Sequence, residues 1–170
     1  MKKTKPPQSD TETRATSDHT QALRLWLRML ACTNLIEGQI RSRLRSQFGI
    51  TLPRFDLMSQ LERSPEGLKM GELSKRMMVT GGNVTGITAT LVAEGLVERR
   101  AIPGDRRAQA VRLTASGKQA FDAMAAEHEQ WIRELLGGLS LADRDRLHAL
   151  LGRLKKSIPV QGPGADGDRR

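Results

Sequence analysis

The chain has no tyrosine, one cysteine in 170 residues, and an aromatic content of 3%. With Cys32 alone, no internal disulfide can form and no site can rest on cysteine ligands only. So few aromatics leave little platform for stacking single-stranded bases, which makes duplex the better nucleic-acid target. No apolar run reaches the ~18 residues of a membrane-spanning helix. The N-terminal MKKTKPPQSDTETRATSD has no hydrophobic stretch behind its lysines. A soluble, cytoplasmic chain without a membrane partner is therefore expected. His19, His128 and His148 are scattered, and no spacing brings an acid, a base and a nucleophile together. The sequence accordingly predicts no catalytic residue, no metal and no cofactor.

Positive charge is what the chain has in excess. Lys and Arg number 28 against 19 Asp and Glu, giving a formal net charge of +9 and a pI near 10.6. A field of that sign draws phosphates at long range. Some of the charge sits on Lys2, Lys3, Lys5, Arg169 and Arg170, in polar segments 1–18 and 159–170 whose composition predicts disorder. Most of the remainder, including Lys69, Lys75, Arg76, Arg99, Arg100 and Arg112, falls inside residues 19–158, which are read as a single domain.

Residues 70–114 are the most informative. They read as a helix, a turn, a second helix and a basic hairpin, the order of parts in a winged helix-turn-helix. Leu73, Val79, Val84, Ile87 and Leu91 are spaced to close a small core under two helices. The solvent side of the second helix, residues 81–94, is assigned Thr80 as N-cap, then Gly82, Asn83, Thr85, Gly86, Thr88 and Thr90. These short side chains allow close approach to DNA and bonds to phosphates or base edges. Gly95 stops that helix. A strand over 96–102, a turn at Pro103-Gly104-Asp105 and a returning strand over 110–113 follow, placing Arg106 and Arg107 near the hairpin tip.

Elsewhere the patterning predicts helices over about 20–47, 53–63, 69–76, 115–136 and 141–157, with Pro53 at a first helical position and Ser140 capping the last. Residues 22–36, ALRLWLRMLACTNLI, are apolar almost all round a helix. A helix of that kind must be covered on every side. Leu147, Leu150, Leu151 and Leu154 form a stripe near the C-terminus, and Phe121 to Leu136 carry a wider one. An intramolecular three-helix core would account for these stripes; the reading adopted is a homodimer joined by the N- and C-terminal helices.

Together these segments make the chain similar to the MarR family of transcription regulators over residues 20–157. The resemblance is carried by Leu52-Pro53-Arg54-Phe55-Asp56-Leu57-Met58, by Glu72-Leu73-Ser74-Lys75-Arg76, and by Val84-Thr85 followed by Leu91 and Gly95-Leu96-Val97-Glu98-Arg99. Asp105-Arg106-Arg107 and Leu113-Thr114-Ala115-Ser116-Gly117-Lys118 complete it. It implies a mainly α fold with a small β-wing, a homodimer on a pseudo-palindromic operator in double-stranded DNA, and repression relieved by a small ligand. It also implies that residues 81–94 form the recognition helix and that Arg106 or Arg107 enters the minor groove. Asn83 is the first candidate for a base contact, its amide being able to serve adenine, and a cap or phosphate ligand is the other role open to it.

The family places effectors between the dimerisation helices and the winged lobe. Trp26, Met29, Leu30, Phe55, Met58 and Trp131 are the apolar candidates, with a plain core role as the alternative for each. Arg24 and Arg28, one turn apart, suggest an anion, with a salt bridge as the alternative. The chain resembles members that govern breakdown of aromatic acids, some answering to a coenzyme A thioester; Arg41, Arg43 or Arg45 would then meet the polyphosphate tail. A free phenolic acid is the alternative effector. Oxidant sensing through Cys32 is a further alternative, set against the expectation of a buried thiol, and a sequence-independent architectural DNA protein is the rival in another class.

Overall fold

The computed structural model describes residues 21–102 and 105–159, excepting the side chains of residue 102 and of residues 105–108. The elements run α1 (Gln21–Phe48), α2 (Leu52–Glu62), β1 (Leu68–Lys69), α3 (Met70–Met77), α4 (Gly81–Ala93), β2 (Val97–Ile102), β3 (Asp105–Leu113), α5 (Ala115–Leu135) and α6 (Leu141–Ser157). Backbone contacts divide the chain into two units, one up to Gln130 and one from Trp131 on. The predicted arm 1–18, His19, Thr20, the Pro103-Gly104 turn and nearly all of the tail lie outside the described residues.

The core of the first unit is built on α2, where Phe55, Leu57, Met58 and Leu61 are all buried. They meet Leu44 of α1, Leu73 of α3, Val84 and Leu91 of α4, and Val97 and Val111 of the sheet as the set of buried apolar side chains. Pro53 opens α2 where its missing N–H costs nothing. Phe55 stacks on Phe121 of α5 with ring centroids 5.5 Å apart.

The sheet is antiparallel, in the order β1-β3-β2, with Leu68 opposite Val111 and Val97 opposite Leu113. β1 is absent from the sequence reading, which began a helix at Lys69; two residues are too few to show a strand period. β3 starts at Asp105 rather than at 110, so Arg106 and Arg107 belong to the strand itself, opposite β2.

Gly95, at φ +72°, ends α4 in the left-handed region. Thr114 then joins wing to helix: its Oγ1 donates to the Gly95 carbonyl at 2.7 Å and accepts from Gly117 N–H at 3.0 Å, capping α5. Gly117 is required there, because a Cβ on it would lie 1.8 Å from the Leu96 carbonyl oxygen.

In the second unit, α6 begins at Ser140, whose hydroxyl accepts from Asp143 N–H at 3.2 Å as the sequence suggested. None of the residues of α6 is buried, and Leu147, Leu150, Leu151 and Leu154 are all exposed. Leu25, Trp26 and Leu35 of α1 are also exposed, Leu35 to 72%. Cys32, expected to be buried, is exposed as well. The stretch around it, residues 22–36, is exposed or half-buried throughout among the described residues.

Candidate nucleic-acid interface

α3, its turn and α4 are positioned by the core just described and stitched at the turn by Ser74. Its hydroxyl donates to the Val79 carbonyl at 2.6 Å, while Val79 N–H donates to the Ser74 carbonyl at 3.2 Å. Met78 between them takes the left-handed conformation, at φ 54°. Thr80 does occupy the N-cap position of α4, but its side chain makes no capping bond. Ser74 ties the turn in its place.

Val84, Thr88 and Leu91 are buried and Ile87 half-buried, at i, i+4, i+7 and i+3, so one stripe of α4 faces the core. Thr88, assigned to the DNA-facing side by its polarity, is 0% exposed, and its hydroxyl meets the Met70 sulfur at 3.8 Å. Position on the stripe overrides side-chain type. The other proposed contacts, Thr80, Gly82, Asn83, Thr85, Gly86 and Thr90, are exposed. The hydroxyls of Thr85 and Thr90 donate to the carbonyls one turn back, Gly81 at 2.9 Å and Gly86 at 3.1 Å. Both protons are thus engaged, and the Asn83 amide is the more direct donor on this face.

The glycines of α4 carry more information than its threonines. A Cβ built on Gly81, Gly82 or Gly86 meets nothing within 4 Å, and none of the three has a positive φ. Neither backbone nor packing asks for glycine at these positions, and at Gly86, inside the helix, glycine costs about 1 kcal/mol relative to alanine. A face kept bare at that cost suits close approach by an external surface.

Cations flank this face. Lys69, Lys75 and Arg76 are exposed, Arg76 donating to Glu72 at 2.9 Å and to Ser64 at 3.2 Å. On the wing, Arg99 and Arg100 are exposed. Glu98 accepts from Arg112 Nε at 2.6 Å and from Arg100 Nε at 2.9 Å, bonds that hold its carboxyl below the usual range. One carboxylate against two guanidiniums leaves the base of the wing positive. The side chains of Arg106 and Arg107 lie outside the described residues.

The fold brings together only part of the set offered for an effector. Arg24 and Arg28 border one concave surface of about 550 Å³ with Gln21, Ala22 and Leu25. Trp26 is 54% exposed, Met29 is half-buried, and Arg41 and Arg45 are exposed, Arg41 pairing with Glu37 at 3.6 Å. Phe55 and Met58 are both buried in the core of the first unit, Phe55 with its ring beside those of Phe121 and His128. Among the described residues, no group of three His, Cys, Asp or Glu side chains could hold a metal ion, and no helix is long and apolar enough to cross a membrane.

The sequence reading also passed over a contact that fixes α4. Arg54 of α2 forms an ion pair with Glu94, the C-cap of α4. The two are 40 residues apart, and no local spacing announces the pair.

A profile of the MarR family matches residues 48–108. The chain is 30% identical over 110 residues to the HTH-type transcriptional regulator YdgJ of Bacillus subtilis, a match covering 65% of this chain and 66% of that protein, just under two thirds of its length. It is 31% identical to a crystal structure of a MarR family transcriptional regulator from Silicibacter pomeroyi, which superposes with a TM-score of 0.72 over 85% of this chain and all of that one. Sco3205 of Streptomyces coelicolor, a MarR family regulator solved in complex with DNA, shares the fold at a TM-score of 0.72, with 21% identity over 90% of this chain and 96% of its own.

Proposed function

The chain belongs to the MarR family, and from that premise we propose that it is a homodimeric, sequence-specific repressor that binds a pseudo-palindromic operator in duplex DNA. The observation that carries this reading is the bare face of α4, where three glycines have no structural requirement in the fold. The exposed cations on both sides of it and the net charge of +9 supply the attraction to phosphate. Arg106 and Arg107, at the start of β3, are the proposed minor-groove residues. The exposed leucines of α1 and α6 support dimerisation by the helices at the two ends of the folded part.

Competition against random duplex at physiological salt tests the reading. A repressor prefers its own promoter by about a thousandfold or more; an architectural protein, drawn by charge alone, shows almost no preference.

For the effector, we propose an organic anion with a flat apolar body: an aromatic acyl-CoA thioester, or the free aromatic acid. The paired guanidiniums of Arg24 and Arg28 on a common concavity support the anion. Titrating the operator complex with thioester, free acid and CoA separates the two chemistries. Release by peroxide, with none of the three active, would transfer the switch to the exposed Cys32.

A further inference from the structure

Met78 ends α3 in a conformation that usually falls to glycine. Its N–H donates to the Lys75 carbonyl at 3.2 Å and the Val79 N–H donates to the Ser74 carbonyl at 3.2 Å, the nested pair of bonds that closes a helix on a left-handed residue. Glycine, and less often asparagine, takes that place because a Cβ crowds the following carbonyl oxygen. The other described residues with positive φ, Gly49, Gly67 and Gly95, are all glycines; Met78, at φ 54°, is the exception. Nor does packing account for it. Its side chain is 92% exposed, more than any other large apolar residue described. It stands on neither α1 nor α6, whose exposed leucines are assigned to the dimer. Glycine would serve the fold better here on both counts, so the methionine side chain answers to something outside the fold.

Its neighbours indicate what that is. Thr80, Gly81, Gly82 and Asn83, all exposed, follow at once and begin the bare face of α4. A helix entered into the major groove brings the turn before it to the rim of the same groove. The proposed contacts on α4 are glycine, threonine and asparagine, which offer close approach and hydrogen bonds but no long apolar group. Among base edges in that groove, the apolar feature is the 5-methyl group of thymine. Methionine, unbranched and with three rotatable bonds, adapts to such a projection. We propose that Met78 is a specificity residue of the DNA interface: its thioether chain packs on the 5-methyl group of one thymine in each half-site. The inference rests on α4 being the recognition helix, and it adds a base reader that stands outside that helix. Contact with DNA covers apolar surface that the free protein leaves in water, which offsets the strain held in the turn.

Anisotropy titration of the full chain on its footprinted operator tests the contact, with deoxyuridine replacing each half-site thymine in turn. That exchange removes the methyl group and leaves base pairing intact. At one position per half-site the wild type is expected to lose about fourfold in affinity, the share of one buried methyl. Met78→Gly should melt at a higher temperature than wild type, because the left-handed strain is gone, yet bind the operator about fourfold or more less tightly. At that same thymine it should lose nothing further when the methyl is removed, and at all others it should respond as wild type does. Met78→Asn, which also tolerates the left-handed backbone, should behave as Met78→Gly does; it separates loss of the side chain from any loosening of the turn by glycine. Variants more stable than wild type with undiminished operator affinity would overturn the assignment. Weaker binding with an unchanged response to deoxyuridine at every position would overturn it too, since Met78 would then touch sugar or phosphate. A wild type with no preferred sequence would overturn the regulator reading and this contact together, whereas a preferred operator without a Met78-dependent thymine would overturn this contact alone.

Discussion

His128 lies against Phe55 with ring centroids 5.0 Å apart, and burial there holds its imidazole below its ordinary value. A depressed imidazole takes up its proton less readily in the fold than in the unfolded chain. Below about pH 6.5 the unfolded state therefore binds more protons, and stability falls with pH until the folded-state value is passed. Thermal denaturation should show a lower Tm at about pH 5.5 than at about pH 7.5, and His128→Phe, which keeps the ring stack, should flatten that difference. An unchanged slope in the variant would place the dependence elsewhere. On the DNA side, Asn83→Ala is expected to change the ranking of half-site variants by about 1–3 kcal/mol at one position. Replacing Arg106 and Arg107 together by Ala should instead weaken binding to all duplexes and flatten its salt dependence, which fluorescence anisotropy across a salt series reads directly. Retained affinity and slope would remove the wing from the interface. Thr88 marks where single-residue reasoning fails. Its hydroxyl suggested solvent, but its place four residues after Val84 and three before Leu91 put it inside.

Among the elements, α4 is held from beneath by its buried stripe and at its two ends by Ser74 and Arg54. Its outer surface is left with residues that the fold does not need. Gly86→Ala should therefore raise stability by about 0.5–1 kcal/mol while lowering operator affinity. Denaturation and DNA titration of one variant check both halves, and a variant stabilised with undiminished DNA binding would contradict the role assigned to this face. Gly117→Ala makes the contrast, since its Cβ meets the Leu96 carbonyl; a loss of about 1–3 kcal/mol is expected. The helices were legible because each is long enough to repeat its pattern, and α6 spans the residues the pattern indicates, Leu141–Ser157. β1 was not, at two residues, and the early start of β3 at Asp105 was hidden because Asp105 after Pro103-Gly104 read as the end of the turn. The Arg54–Glu94 pair was beyond reach for another reason. It joins α2 to the C-cap of α4, and no periodicity records a contact made only by the fold.

For the whole molecule, apolar side chains of the kind that close a core in α2 stand exposed in α1 and α6. A stretch as apolar as residues 22–36 has to be covered by something, and a second copy of the chain is the proposed cover. Sedimentation at micromolar concentration should give a dimer, and Leu147→Glu with Leu151→Glu should shift it to monomer, because charge at such an interface is left without water or partner. A dimer places two copies of α4 on one face of the duplex, and an effector releases DNA only if it binds more tightly when their spacing is wrong. Specific DNA binding by that pair is the central claim, and hydroxyl-radical footprinting on a promoter fragment tests it most directly. Protection of an inverted repeat with half-site centres about ten base pairs, or about 34 Å, apart is the predicted result. A single short protected half-site, or uniform protection with no preferred sequence, would contradict it.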